Sequence, residues 1–137
     1  MKEIAIDSVA RFDYKSEKLQ IIIRKNPAKS LPTEAVVIDV ERDINLYSAQ
    51  KLKEILSLLI DSGKSKLYLC LEKTEYLDSS GLGVLLGIQS RLKKEKGGVR
   101  IFSPSRTVDH VLRLTRLKHF IPVFETLEEA IAFNPED

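Results

Sequence analysis

The sequence is short of the residues that build most specialised sites. It has one cysteine, Cys70, and no tryptophan among its 137 residues, which excludes an internal disulfide and a multi-cysteine metal site and makes a reducing cytoplasm the expected compartment. Its only histidines, His110 and His119, lie nine residues apart with no cysteines clustered near them. That is a poor metal spacing, so both read as surface or helix-end residues beside Arg113 and Lys118. Neither sign of charge dominates. With 22 basic and 20 acidic residues the formal net charge is +2, giving no electrostatic case for nucleic acid or an anionic membrane. Long apolar runs are missing too, and Met1–Asp7 contains no signal-peptide core, so membrane insertion is not expected.

What is present is 43% hydrophobic and 31% charged, with 6 glycines and 5 prolines, the composition of a globular domain rather than a fibrous or disordered chain. The length suits one domain over residues 1–137. Its core is expected at about 18–133, after an N-terminal strand or arm over 1–17 in which Ile4, Ile6, Val9 and Phe12 alternate weakly.

Taken in order, 18–24 and 35–40 read as strands, the second apolar enough to be buried on both faces, with a Pro-containing loop over 26–34 between them. Ser48 is placed to cap a helix through Ile60 whose stripe is Ala49, Leu52, Leu56, Leu59 and Ile60, with Gly63 as its stop. A strand over 66–71 then leads into a helix from about Ser80 to Lys94, ended by Gly97-Gly98. Beyond it come a short strand over 99–102 and a helix opened by Ser103-Pro104 that carries Val108, Val111, Leu112, Leu114 and Leu117. The chain closes with an edge strand over 121–124 and a helix through Phe133, started by the capping box Thr126-Leu127-Glu128-Glu129. Strands alternating with helices predict an α/β fold, a mixed but mostly parallel sheet covered by about four helices.

The stretch the chain is organised around is Tyr76-Leu77-Asp78-Ser79-Ser80-Gly81-Leu82-Gly83-Val84-Leu85-Leu86-Gly87, where β-type alternation gives way to helical spacing. Asp78, Ser79 and Ser80 are all residue types that cap a helix. Three glycines so close together each cost a helix about 1 kcal/mol relative to Ala, which calls for a close backbone contact or an exposed backbone in compensation. No enzyme motif is met. Gly81, Gly83 and Gly87 miss the dinucleotide fingerprint by one residue, no phosphate-binding G-x-x-x-x-G-K-[ST] exists, and the stretch lacks the first glycine of G-x-S-x-G. The basic runs 91–96 and 113–118 read most simply as solvated helix ends, with a partner surface as the sharper alternative. Cys70 reads as a core residue. For Ser79 two readings stay open on local residues: a helix cap, or a hydroxyl displayed for phosphorylation, whose product would sit at the positive end of the helix dipole beside free N–H groups.

The motif Asp78-Ser79-Ser80-Gly81-Leu82-Gly83 resembles that of the STAS domain of bacterial anti-sigma-factor antagonists. The resemblance runs from about Ala35 to Phe133, through Ile44-Asn45-Leu46-Tyr47-Ser48-Ala49, Gly97-Gly98-Val99-Arg100-Ile101, Val111-Leu112-Arg113-Leu114-Thr115 and Leu127-Glu128-Glu129-Ala130. It implies a small regulatory domain without catalytic site or cofactor, which binds an anti-sigma factor that is also a serine kinase of the histidine-kinase-like ATPase fold and so releases a sigma factor. By motif position Ser79 is the implied phosphorylation site, reversed by a phosphatase of the PP2C type, and Asn45, Tyr47, Asp78, Ser80, Gly81 and Leu82 complete the implied partner surface. The sequence departs from the family at Asn45, where Asp is common, and at Cys70, where many members carry Asp or Asn. An alternative is a STAS scaffold or regulatory subunit in another assembly, a signalling scaffold or a lipid-transport complex, without a phospho-switch.

Overall fold

The computed structural model describes residues 13–15, 19–24 and 31–133. The expected alternation over Ile4–Phe12 and the first part of the 26–34 loop lie outside the described residues. The described residues form seven strands, β1 (Asp13–Lys15), β2 (Leu19–Ile23), β3 (Ala35–Ile44), β4 (Lys66–Cys70), β5 (Thr74–Leu77), β6 (Gly98–Phe102) and β7 (Val123–Phe124). Four α-helices accompany them: α1 (Ala49–Asp61), α2 (Ser79–Lys93), α3 (Arg106–Leu114) and α4 (Leu127–Ala132). The sheet order is β1-β2-β3-β4-β6-β7, with β5 paired to the end of β3. β1–β2 and β2–β3 are antiparallel and every other pairing is parallel, so the sheet is mixed and mostly parallel as expected.

The central strands carry apolar residues on both faces because both faces are covered. Val36, Ile38, Val40, Leu67, Leu69 and Leu71 pack with the stripes of α1 and α2 and with Val108 and Leu112 of α3. The alternate positions Ala35, Val37, Tyr68, Cys70 and Phe102 face Leu127 and Ala130 of α4. Beside that smaller core Arg24 Nε and Nη2 each donate to an Asp39 carboxylate oxygen at 2.8 Å, and the guanidinium lies 5.4 Å from the centre of the Phe102 ring. Burial works against the Asp39 charge, but the Arg24 hydrogen bonds and charge outweigh it and hold the carboxyl below its ordinary value. Burial of the neighbouring Cys70 thiol pushes it up to about 11, which keeps it a neutral core group.

Several element expectations need correction. β5 is absent from the sequence pattern, in which strand 66–71 passes directly to the helix. This four-residue strand lacks alternation and depends on a long-range pairing with β3, where its Thr74 Oγ1 donates to the Val40 carbonyl at 2.6 Å. α2 begins at Ser79 and ends at Lys93, one residue ahead of the predicted span. α3 is capped by Ser105, whose Oγ accepts from Val108 N at 3.2 Å, rather than opened at Ser103-Pro104. It stops at Leu114, which is exposed, and Leu117 is buried instead in a 3-10 turn (Leu117–His119) entered through a left-handed Arg116, φ 58°. The edge position of β7 and the Thr126 capping box match the sequence reading.

The three glycines of α2 divide by environment. A Cβ on Gly81 would come within 2.6 Å of both Ile44 Cγ2 and Leu77 Cδ1, whereas Gly83 and Gly87 face open space. Gly81→Ala is therefore expected to lower stability in urea unfolding by about 1–3 kcal/mol, and Gly83→Ala to leave it unchanged or raise it by up to about 1 kcal/mol. Because the folded pKa of Asp39 is depressed, its stabilisation is present above the unfolded value, about 3.9, and fades as pH falls through the folded one. Asp39→Asn should thus cost on the order of 1 kcal/mol at pH 7 for a partly exposed pair, with the deficit against wild type shrinking in urea titrations below about pH 4.

Candidate functional site

The organising stretch sits where β3 and β5 end side by side, Ile44 in register with Leu77. Asp78 follows and takes the N-cap position of α2 in extended backbone, φ −112° and ψ −172°. Its Oδ1 accepts from Ser80 N at 2.9 Å and Gly81 N at 3.3 Å, and its Oδ2 accepts from Leu46 N at 3.2 Å. One carboxylate therefore caps α2 and ties down the loop that leads from β3 to α1. Of the three cap-type residues only Asp78 caps, so two of the first amides of α2, those of Ser80 and Gly81, are already occupied.

The loop has its own internal support. Asn45 Oδ1 accepts from Tyr47 N at 2.8 Å and Ser48 N at 3.1 Å, the side-chain-mimicked turn that Asn and Asp favour. Ser48 occupies the N-cap position of α1 but makes no side-chain cap bond, which corrects the role predicted for its hydroxyl. Its Oγ instead donates to the Asp43 carbonyl at 2.7 Å and accepts from Asn45 N at 2.9 Å. Asn45 supplies the same acceptor an Asp would and adds no negative charge.

Held in this way, Ser79 is exposed at the first position of α2, Ser80 is half-buried and Gly81 buried against Ile44 and Leu77. Leu82 is half-buried and packs on the main core. The adjoining loop and strand end expose three large side chains: Leu46 is 67% exposed, Tyr47 76% and Tyr76 49%. Gly83, one turn on from Ser79, is exposed with no atom near its missing Cβ. The structure thus brings Asn45, Tyr47, Asp78, Ser79, Ser80, Gly81 and Leu82 to one end of the sheet. Leu46 and Tyr76 belong there too and were missing from the set read from sequence. The available signal was two large apolar residues beside turn-forming Asn45 and Asp78, outside any helical or strand stripe.

The STAS domain model matches residues 26–130. The chain belongs to the STAS domain family. Over 88 residues, 64% of this chain and 80% of the relative, it is 32% identical to the anti-sigma-B factor antagonist of Bacillus subtilis. The anti-sigma factor antagonist SpoIIAA in its unphosphorylated form superposes with a TM-score of 0.63 at 27% identity, covering 75% of this chain and 90% of that one. The Bacillus cell fate determinant SpoIIAA in its phosphorylated form gives 0.57 at 26%, covering 75% and 93%. A sulfate transporter family protein of Wolinella succinogenes shares the fold alone, with a TM-score of 0.63 at 17% identity over 80% of this chain and 93% of that one. Anti-sigma antagonist STAS domains are regulatory binding proteins rather than enzymes. Among the described residues no helix of this STAS domain is long and apolar enough to cross a membrane.

The double role of Asp78 makes a sharp test. Asp78→Ala removes the cap and the loop tie together and should lower stability by about 1–2 kcal/mol in urea unfolding. Hydrogen exchange should quicken at the amides of Leu46, Ser80 and Gly81, which lose their acceptor, while amides of β4 slow or quicken only in step with global stability.

Proposed function

We propose that this STAS domain is an anti-sigma-factor antagonist that docks, through the surface around Ser79, on an anti-sigma factor which is also a serine kinase of the histidine-kinase-like ATPase fold. Phosphorylation of Ser79 switches the docking off and a PP2C-type phosphatase restores it. The carrying observation is the exposed Ser79 at the first position of α2, set among exposed Leu46, Tyr47 and Tyr76. Further support comes from the similar anti-sigma factor antagonist SpoIIAA, whose structure is known in both unphosphorylated and phosphorylated forms.

The physical argument is local. A phosphoserine carries about −1.5 to −2 charge at neutral pH, and here it would adjoin the Asp78 carboxylate, whose Oδ1 already holds the Ser80 and Gly81 amides. The positive end of the helix dipole offsets part of that repulsion, and the group stands in water, so the scaffold survives. Against an apolar partner surface the same charge loses its water without gaining a counterion, and the complex weakens. Asn45, neutral where Asp is common, leaves one carboxylate fewer beside the phosphate and so narrows the repulsion to Asp78.

The test uses the cognate kinase with ATP. Mass spectrometry should find a single phosphate on Ser79, and Ser79→Asp should weaken binding by about a hundredfold, roughly 2.7 kcal/mol, while Ser79→Ala binds as wild type. If Ser79→Asp binds equally well with its thermal unfolding unchanged, the switch is wrong and a STAS scaffold without one is the better description.

A further inference from the structure

The basic runs 91–96 and 113–118, distant in sequence, meet at the far end of the molecule. Lys93 and Lys96 from the first and Lys118 from the second, followed by His119, line a single cavity of about 580 Å³. Lys66 at the start of β4 and Arg100 on β6 line it as well. It opens at the N-terminal ends of the parallel strands, whereas Ser79 lies at their C-terminal ends. At 1.5 Å per residue, α2 separates Lys93 from Ser79 by about 21 Å.

Among the described residues no carboxylate lines this cavity. Lys66 and Lys118 face acids outside the lining, Glu34 at 3.7 Å and Asp109 at 3.6 Å. Lys93 and Lys96 have no ion pair among the described residues. Helix-dipole stabilisation accounts for a cation such as Lys93 in the last turn, but not for the convergence of a second run on the same space. Three phenylalanine rings also line the cavity, beside Gln89, Pro122, Val123 and the Gly97–Val99 segment. Phe120 is 57% exposed and Phe133 37%, Phe124 stands 5.2 Å from Phe133 between ring centres, and the Arg100 guanidinium lies 5.2 Å from the Phe133 ring. The one side-chain amide of the lining is already used: Gln89 Nε2 donates to the Phe120 carbonyl at 2.9 Å and its Oε1 accepts from Val99 N at 2.6 Å. A nucleobase edge would find no amide to read it, whereas an apolar body needs none.

We infer that this cavity binds a small amphiphilic anion, its phosphate or carboxylate head held by Lys93, Lys96 and Lys118 and its apolar group resting on Phe120, Phe124 and Phe133. The volume falls within the range of about 300–1,000 Å³ usual for small-molecule sites. Such an anion reaches the cavity either as a free metabolite or as the head of an anionic lipid, and the two sources are separable by experiment.

The probe is 1-naphthyl phosphate, titrated calorimetrically into the full chain at low salt, with inorganic phosphate and adenosine monophosphate as comparisons. It should bind at one site, about tenfold tighter than either comparison, a difference of roughly 1.4 kcal/mol. Lys93→Glu with Lys96→Asn should weaken it at least about tenfold; Asn is chosen because Lys96 sits at φ 61°, left-handed backbone that Asn tolerates. Phe120→Ser, at an exposed ring, should weaken naphthyl phosphate and leave inorganic phosphate unchanged. Thermal unfolding of each variant checks that the fold persists. Flotation with phosphatidylcholine vesicles containing phosphatidic acid, abolished by the lysine variant, would add a lipid as the source; naphthyl phosphate binding without flotation would make it a soluble metabolite. No saturable binding, equal affinity for inorganic phosphate or adenosine monophosphate, or variants that bind as wild type would each overturn the assignment.

Discussion

Asp78 puts its two carboxylate oxygens to different uses, Oδ1 on the first amides of α2 and Oδ2 on the amide of Leu46 in the loop before α1. Helix starts leave unpaired N–H groups that need an acceptor, and here the acceptor also bridges to a segment 32 residues away. The bridge works only because α2 lies directly on the strand ends, which the missing Cβ of Gly81 permits against Ile44 and Leu77. A carboxylate engaged on both oxygens and a buried glycine two residues after Ser79 leave its side chain the outward direction. Exposure of that hydroxyl is thus a consequence of packing rather than of local flexibility.

The same helix carries different chemistry at its two ends. Its N-terminus presents a hydroxyl beside large exposed side chains, Leu46, Tyr47 and Tyr76; its C-terminus delivers cations to a cavity that also receives Lys118 and three phenylalanine rings. The helix dipole favours this arrangement, negative groups at the start and positive ones at the end. Between the ends, Leu85, Ile88 and Leu92 are buried in the main core, so the two surfaces are held at a fixed separation by a rigid element.

Much of the scaffold was legible because its signals are local. The β-branched run of β2, the continuous apolar run of β3 and the alternation of β4 announced strands, the Leu-rich stripe announced α1, and Thr126 with Glu129 announced α4 through a capping box that forms as read. β5 escaped because Thr74–Leu77 has no alternation and is stabilised by its partner strand, with Thr74 bonded to Val40. The extent of α3 was misjudged because Leu114 and Leu117 suit a helical stripe, while the left-handed Arg116 ends the helix between them. Ser48 has the right type and place for a cap, yet Asn45 claims the turn's amides and Ser48 bonds back to Asp43.

Sequence alone determined the α/β class, the strand-to-helix switch at Asp78-Ser79 and the family resemblance, since each rests on residue types within a few positions of one another. Only the tertiary structure decided that Asp78 holds Leu46, that Gly81 is required while Gly83 and Gly87 are exposed, and that two basic runs share one cavity. Those facts depend on which segments the sheet order brings together, and contacts between residues tens of positions apart leave no periodic trace in the chain.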